Sequence, residues 1–562
     1  MTLELTGEDL TIGQIAEVAR GGKVALTSER AVVDRVHRSR EVIRRAVETG
    51  EQVYGVTTLF GGLANQYVGP ELLTDVQRVA LWQHKSTTGP RLPEADVRST
   101  MLLRANSLLK GASGIRLEII ERYVTFLNAG AHPHVFQRGS IGASGDLVPL
   151  SYIGASVLGL DPAFLVDMKG ETLDCHTALE RLGLEPLPPE PKEGLALNNG
   201  TGASTGVAAN VVARANELVA LALGIHALYA QSLLATDQSF MPFIHAMKPH
   251  DGQVWTAARM LELIEGSKII RSENAGQRAH RAGKLIQDRY GLRCLPQFLG
   301  PIVDGLATGA RQIEVEANCA NDNPLIDPDT GEIFHTGNFL AQYTATAMDS
   351  LRYFIGLMAK HIDSQIALMI TPEFSNGLNP SLVGNMAGGV NVGFKSLHVG
   401  TNQMMTHICF LGQSVADRFP THAEMYNQNI NSQAMNAANI ARDQLDILEH
   451  FLAAAAITGV QAVELRSKET AGTHDARAVL SPATVPLYEA TRRAAKGEPE
   501  ADQPLLWNDF DGFIQDMVEG TLASISSRGA VIEAVRPVWE SLAEFSAREP
   551  VSPRSSVRVF RE

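Results

Sequence analysis

Residues 210–235 read NVVARANELVALALGIHALYAQSLLA, a stretch with almost no polar face when it is wound into a helix. Residues 439–460 have the same character. Helices that are apolar nearly all round are buried on most sides in a large core. Alternating apolar and polar residues, which indicate strands, are few in this chain. The sequence therefore predicts a mostly α protein built on a long central helical bundle.

Residues 115–130 predict a shorter, amphipathic helix. Its apolar positions recur at helical spacing on one face, at Leu117, Ile120, Val124 and Leu127. Gly130 is suited to end this helix, and Ser113 is a candidate N-cap before it.

Composition divides the chain into three segments. Residues 1–200 are rich in loops, residues 201–495 hold the long helices, and residues 496–562 form a smaller helical part. The proline- and charge-rich stretches 186–194 and 496–504 are predicted connectors.

Charge and cysteine usage limit the partners and the compartment. The 562 residues carry a formal net charge of −14, which argues against nucleic acid as a partner because phosphates need basic patches. The apolar stretch 217–235 is interrupted by His226, so we expect a buried helix and no membrane contact. Four scattered cysteines and no visible secretory signal predict a reducing cytoplasm.

Several motifs resemble cofactor or metal sites and fail on spacing. Residues 199–206, NGTGASTG, have one residue too many for a dinucleotide fingerprint. His132 and His134 lack a third ligand nearby, so we expect a turn there and predict no metal. Asp327 and Asp329 fail the calcium-loop pattern and are predicted to serve a hairpin turn.

Residues 139–151, GSIGASGDLVPLS, carry glycines at 139, 142 and 145. Glycines at this density indicate a backbone held in an unusual shape. The nucleophile elbow of serine hydrolases needs G-x-S-x-G, and Asp146 stands where the second glycine is required. Taken alone, residues 143–145 favour an ordinary glycine turn.

The stretch 139–154, GSIGASGDLVPLSYIG, resembles the signature of the aromatic amino acid ammonia-lyase and aminomutase family. Other blocks resemble family blocks in family order: YGV at 54–56, FGG at 60–62, LLRANSLLKGASGIR at 102–116, NNG at 198–200, QDRYGLRCLPQ at 287–297, NDNPL at 321–325, GNF at 337–339 and FPTHAEMYNQNINSQ at 419–433. The similarity covers residues 30–545 and is greatest to the bacterial phenylalanine and tyrosine ammonia-lyases.

The resemblance implies a prosthetic group made from the chain itself. In the family, the tripeptide that corresponds to Ala143-Ser144-Gly145 cyclises with loss of two waters to 4-methylidene-imidazole-5-one, abbreviated MIO. The loop-rich N-terminal part would then bear this group, and no external cofactor is expected. A strained backbone at a functional site must be held by its surroundings.

The resemblance also implies the roles of side chains. Tyr54 matches the family's base and should act as a phenolate, so we expect its pKa to be lowered by neighbours. Arg293 matches the residue that binds the substrate carboxylate, and Asn199 matches one that assists MIO formation. Tyr290 is a further catalytic position. The implied substrate-binding positions are Gln83, His84, Leu195, Asn198, Gln287, Asn338, Phe339, Lys395, Glu424 and Gln428.

In this family, the pair that corresponds to Gln83-His84 determines the selectivity for the substrate side chain. Phenylalanine enzymes typically have Phe-Leu there, tyrosine enzymes His-Leu and histidine enzymes Ser-His. Because unpaired buried polar groups cost free energy, Gln83, His84 and Asn198 should disfavour a bare phenyl ring. The predicted reaction is deamination of an L-tyrosine-like substrate to the trans-arylacrylate, a phenylpropanoid acid, and ammonia.

Four alternatives remain open. Phenylalanine is the second substrate candidate, and Gln428 weakens a histidine ammonia-lyase because histidine enzymes carry glutamate there. Leu59 replaces a glycine usual in relatives and would stiffen the loop that carries Tyr54, which favours an aromatic 2,3-aminomutase. A non-catalytic homologue that binds an aromatic ligand is the fourth. The resemblance implies a homotetramer in every case.

Overall fold

The computed structural model describes residues 2–272, 287–418, 422–497 and 502–548. Helices dominate these residues, which confirms the predicted mostly α fold with its long central helices. The helices are α1 Ile12–Ala19, α2 Arg30–Thr49, α3 Leu73–Trp82, α4 Glu94–Leu109, α5 Leu117–Ala129, α6 Leu147–Leu158, α7 Cys175–Arg181, α8 Glu193–Asn198, α9 Gly202–Ser232, α10 Pro242–Ala246, α11 Asp251–Ile264, α12 Tyr290–Arg293, α13 Leu295–Ala317, α14 Gln342–Met369, α15 Lys395–Leu411, α16 Ala434–Ala471, α17 Val485–Lys496, α18 Ile514–Ser526, α19 Ala530–Glu533 and α20 Arg536–Ala547.

Short strands accompany the helices. They are β1 Thr2–Leu5, β2 Lys23–Leu26, β3 Ala131–Pro133, β4 Leu165–Met168, β5 Glu171–Asp174, β6 Leu325–Ile326 and β7 Ile333–Phe334. β1 and β2 pair in parallel, β3, β4 and β5 form an antiparallel sheet, and β6 and β7 form a hairpin. The Asp327 carboxylate accepts backbone N–H bonds from Asp329 and Thr330 in this hairpin, as expected for a turn residue.

The chain forms two compact units. Unit 1 comprises Met1–Ala213, Gly309–Ser350 and Ser414–Arg442, and unit 2 comprises Arg214–Thr308, Leu351–Gln413 and Asp443–Glu562. Each unit combines stretches that are far apart in sequence. The three consecutive segments predicted from composition are a different division and stay a prediction.

Two local predictions need correction. α5 begins at Leu117 with Arg116 as its N-cap residue, so Ser113 does not cap it. The reason lies in Gly114, whose φ of +68° interrupts any helix before that point. His132 lies in strand β3 and pairs with Asp167 of β4, not in a turn. The end of α5 at Gly130, with φ of +67°, is confirmed.

The long apolar helices are buried, as predicted. α9 and α16 are long and apolar enough to cross a membrane, yet 89% and 83% of their most apolar windows are buried within the protein. This burial is typical of core helices in a large α-helical domain. In unit 1, α4 is also buried along most of its length and packs against α1 and α5.

Candidate active site

The tripeptide Ala143-Ser144-Gly145 lies in unit 1, in the turn before α6. Gly145 has a φ of +71°, and a Cβ added there would overlap the carbonyl oxygen of Gly200. The Asp146 N–H donates to the same oxygen at 2.7 Å. The turn is therefore pressed against the short segment between α8 and α9, and only a glycine fits at 145.

Asp146 ties this turn to the beginning of α9. Its carboxylate is fully buried and accepts bonds from the Ser140 hydroxyl at 2.9 Å, from the Ser204 N–H at 2.7 Å and from the Ser204 hydroxyl at 2.8 Å. Ser204 belongs to the first turn of α9, where helix N–H groups favour a carboxylate. Burial raises the pKa of Asp146, and these bonds oppose that rise.

Ser144 is contacted by two residues that the sequence predicted for the site. The Asn199 side-chain amide donates to the Ser144 carbonyl oxygen at 3.1 Å. The Gln428 amide donates to the Ser144 hydroxyl at 2.9 Å. That hydroxyl is an atom which cyclisation would expel as water, so the Gln428 contact belongs to the uncyclised tripeptide. The Asn199 Oδ1 is buried and has no hydrogen-bond partner among the described residues.

Tyr54 lies in the lid segment, residues 54–68, between α2 and α3. Its hydroxyl oxygen accepts the N–H of Gly61 at 2.9 Å, and its own N–H donates to Nε2 of His335 at 3.3 Å. Burial raises the pKa of Tyr54, the Gly61 bond lowers it, and the Glu424 carboxylate raises it. The expectation of a lowered pKa was therefore wrong for this structure, because desolvation outweighs the single stabilising bond.

Glu424 lies against the lid segment. A Cβ added at Gly61, whose φ is +56°, would overlap its carboxylate, so a larger residue there would displace the Glu424 side chain. Glu424, Met425 and Tyr426 all have positive φ, at 50°, 54° and 66°. Such a run of non-glycine residues in the left-handed region is strained and typical of functional segments. The Glu424 charge also acts on His84, so these side chains share one region of unit 1.

His84 and Asn198 meet at the carbonyl oxygen of Ala80. The His84 Nδ1 donates to it at 2.6 Å, and the Asn198 amide nitrogen donates at 2.8 Å. Burial lowers the pKa of His84, so the neutral ring presents Nε2 as an acceptor. The Asn198 Oδ1 is buried without a partner among the described residues. Gln83, by contrast, is exposed.

Three further predicted positions lie in unit 1. Leu195, in α8, lies against Gly55 of the lid segment, where an added Cβ would collide with its Cδ2. Asn338 and Phe339 follow β7 in the loop that also supplies His335. Asn338 is exposed and bonded within its own loop, and Phe339 is half-buried.

Unit 2 holds the remaining predicted positions. Tyr290 and Arg293 begin and end the one-turn helix α12, with the guanidinium 4.5 Å from the centre of the tyrosine ring. Gln287 and Arg293 line a cavity of about 520 Å³, and the Arg293 Nε is buried without a partner among the described residues. Lys395 is the exposed first residue of α15.

Sequence reasoning missed residues that hold the site together. Asp146 had a signal in the sequence, because it follows the glycine-rich turn and directly precedes an apolar helix. His335 and Ser204 had none, because nothing local relates them to Tyr54 or to the tripeptide. Within the described residues no group of three His, Cys, Asp or Glu side chains is arranged to hold a metal.

Comparisons with known proteins show what this chain is similar to. The profile of a family described as aromatic amino acid lyase matches residues 10–492. An aromatic ammonia-lyase of Loktanella atrilutea is 70% identical over 97% of this chain and 100% of its own length. A phenylalanine ammonia-lyase of Nostoc punctiforme is 51% identical over 95% of this chain and 94% of its own. The crystal structure of a tyrosine aminomutase from Streptomyces globisporus superposes with a TM-score of 0.85 at 28% identity, covering 96% of this chain and 99% of its own.

Proposed function

Since this chain belongs to the aromatic amino acid lyase family and is an ammonia-lyase, we propose that its preferred substrate is L-tyrosine or an analogue with further ring hydroxyls. The products are the trans-arylacrylate and ammonia. The observation that carries the substrate choice is the buried Asn198 Oδ1 beside His84, which has no hydrogen-bond partner in the described part of the chain.

A phenolic hydroxyl suits this corner of the site. It would donate to the Asn198 Oδ1 or to the His84 Nε2, both of which are acceptors. A bare phenyl ring would leave these atoms unpaired and desolvated, which costs on the order of 1–3 kcal/mol for each buried group. A site built to bond a hydroxyl discriminates strongly against the analogue that lacks it.

The roles of the charged and polar residues follow from the chemistry of the elimination. Tyr54 Oη takes the β-proton, the carbon–carbon double bond forms, and the carbon–nitrogen bond breaks. The Gly61 N–H supports this role because it stabilises the phenolate. Arg293 binds the substrate carboxylate through its planar fork, and Tyr290 stacks against that guanidinium. Glu424 lies near the substrate amine.

The residues around the tripeptide fit an MIO group. Gly145 touches Gly200 so closely that no side chain is tolerated, and Asn199 bonds the Ser144 carbonyl, which survives cyclisation. When formed, MIO supplies an electrophile that makes the substrate amine a better leaving group. The chain's own contribution is to hold Asn199 and the turn before α6 in contact.

A competition experiment tests the proposal. Purified protein receives equimolar L-tyrosine, L-phenylalanine and L-histidine, beside a Ser144→Ala variant, and products are identified by liquid chromatography with mass detection. Coumarate should dominate and vanish in the variant. Dominant cinnamate would overturn the substrate choice and keep the ammonia-lyase chemistry, whereas urocanate would indicate a histidine enzyme. Absence of any product, with ligand binding retained, would indicate a binding homologue.

The role of His84 in substrate choice can be tested separately. The double variant Gln83→Phe/His84→Leu should raise the ratio of phenylalanine to tyrosine turnover by about tenfold or more, since it removes an acceptor. The single variant Gln83→Phe is the matched control, because Gln83 is exposed and His84 bonds Ala80. An unchanged ratio in the double variant would contradict the role assigned to His84.

A 2,3-aminomutase activity is the second candidate. It is favoured by Leu59, which packs with Phe60 against the buried cluster of Val68, Leu73 and Val76 and so stiffens the lid segment. A tight lid would retain ammonia for addition at the β-carbon. Trapped β-amino acid would support this activity, and a Leu59→Gly variant should then release more arylacrylate. If neither protein forms a β-amino acid, the aminomutase activity is excluded and only the lyase activity remains.

We further propose a homotetramer in a reducing cytoplasm. Among the 17 residues of α15 only Thr401 and Ile408 are buried, while Val399 and Phe410 are exposed. Exposed apolar residues on one helix of a soluble protein favour contact with another subunit. All four cysteines are free thiols without a disulfide, which favours a reducing compartment.

A further inference from the structure

The one-turn helix α12 has a backbone carbonyl that side chains from α14 bind. The Gly291 oxygen receives the His361 Nε2 at 2.8 Å and the Gln365 Nε2 at 2.5 Å. A helix of four residues has few bonds of its own, so contacts from outside decide its position. Gly291 lies between Tyr290 and Arg293, and all these residues belong to unit 2.

A second histidine fixes the orientation of the glutamine. The His226 Nδ1, from α9, lies 2.6 Å from the Gln365 Oε1. Because the Gln365 nitrogen donates to Gly291, its oxygen must accept, and His226 must therefore carry its proton on Nδ1. A carbonyl only accepts, so His361 must carry its proton on Nε2. The hydrogen bonds thus run in one direction, from His226 through Gln365 to Gly291, with His361 beside them.

Both histidines are neutral at working pH. Burial lowers the pKa of His226 to about 3 and that of His361 to about 4. The His361 ring stacks on Phe298 at 4.8 Å and lies 4.9 Å from the His226 ring, which locks its direction. Only one proton arrangement is compatible with these contacts, so the network has a single state.

The hydrogen-bond network costs free energy, because it buries two ring nitrogens that apolar side chains would not bring into the core. His226 Nε2 and His361 Nδ1 are buried and have no hydrogen-bond partner among the described residues. Apolar residues of similar size would avoid this desolvation, since each unpaired buried polar atom is unfavourable. What the polar residues provide and apolar ones would not is two N–H donors aimed at one carbonyl.

We propose that His226, His361 and Gln365 are positioning residues that hold α12 and thereby direct Arg293 toward the substrate carboxylate. The proposal rests on the carboxylate-binding role given to Arg293 above. A guanidinium binds a carboxylate well only when its fork is aligned, so a small rotation of α12 would weaken substrate binding. These residues do not touch the substrate.

Binding of trans-4-coumarate, measured by calorimetry, tests the proposal without needing turnover. His361→Leu should raise the Kd about tenfold, and His361→Gln, whose amide reaches as far as Nε2, should restore it to within about threefold. In an Arg293→Met background, His361→Leu should add nothing, because the residue acts through Arg293. His176→Leu is the matched control, since His176 also bonds a glycine carbonyl, that of Gly159 at 2.9 Å.

The outcomes distinguish failure of the positioning role from failure of the proposed reaction. Equal weakening by His361→Leu with and without Arg293, or weakening by His176→Leu to the same extent, would overturn the positioning role and indicate general destabilisation. Coumarate binding with no turnover of any amino acid would refute the proposed reaction while the double-variant comparison still decides the positioning role. A wild-type protein that binds no coumarate would overturn both.

Discussion

At the residue scale, two separate features require glycine at position 145: its positive φ and the lack of space for a side chain. Gly183 has the same φ of +71° but open space where a Cβ would lie, whereas at Gly145 the Gly200 carbonyl occupies it. We predict that Gly183→Ala loses about 1 kcal/mol of stability and keeps activity. Gly145→Ala should lose both the two-water mass deficit and activity. A folded Gly145→Ala chain that still shows the deficit in intact-mass measurement would contradict this reading.

Also at the residue scale, the raised pKa of Tyr54 predicts the pH dependence of the reaction. A base with a pKa above its ordinary value of 10 is mostly protonated at neutral pH. kcat/KM should therefore rise with pH through about 8 to 10, roughly tenfold per unit while Tyr54 limits it. Glu424→Gln removes a charge that raises this pKa, so the rising limb should move to lower pH. A pH–rate profile measures this shift, with Tyr54→Phe as the inactive control. If the rising limb does not move in Glu424→Gln, the Glu424 charge does not act on the pKa of Tyr54.

At the element scale, the two buried histidines of α9 and α14 make the stability of unit 2 depend on pH. Unfolded histidine takes up a proton below about pH 6.5, whereas native His361 and His226 do so only near 4 and 3. The free energy of unfolding should therefore fall as pH decreases from about 6.5 to 4, by about 3 kcal/mol from His361 alone. Urea unfolding at stepwise pH measures this slope. His361→Gln should flatten it, and an unchanged slope would argue against a buried neutral ring.

At the scale of the whole molecule, the exposed apolar side chains of α15 predict assembly. The 60.6 kDa chain should elute at about four times its mass. Phe410→Asp should dissociate it and reduce activity, because a buried unpaired charge is costly at an interface. Phe510→Asp, at a residue that is 95% exposed in the short segment Asp509–Asp511, should stay assembled. Light scattering after size-exclusion chromatography measures the mass of the wild type and of both variants. Equal masses for all three proteins would show that α15 does not form the subunit interface.

The sequence by itself determined the helices α5, α9 and α16 and the position of the glycine-rich turn. The apolar character of α9 and α16 and the periodicity of α5 are local properties, so spacing along the chain was enough to predict them. The glycine-rich turn at 139–145 was visible for the same reason, since positive φ at Gly139, Gly142 and Gly145 is encoded in the residue type. The start of α5 was predicted wrongly, because the left-handed backbone of Gly114 prevents Ser113 from capping the helix.

Only the tertiary structure decided which residues meet and how they are charged. Asn199 and Ser144 are separated by 55 positions, and Gln428 and Ser144 by 284. His361 and Gln365 reach the Gly291 carbonyl from a helix whose sequence shows no sign of that role. The raised pKa of Tyr54 reversed the sequence-based expectation. The physical reason is common to all three: hydrogen-bond partners and desolvation are set by packing between distant segments, and spacing along the chain does not encode that packing locally.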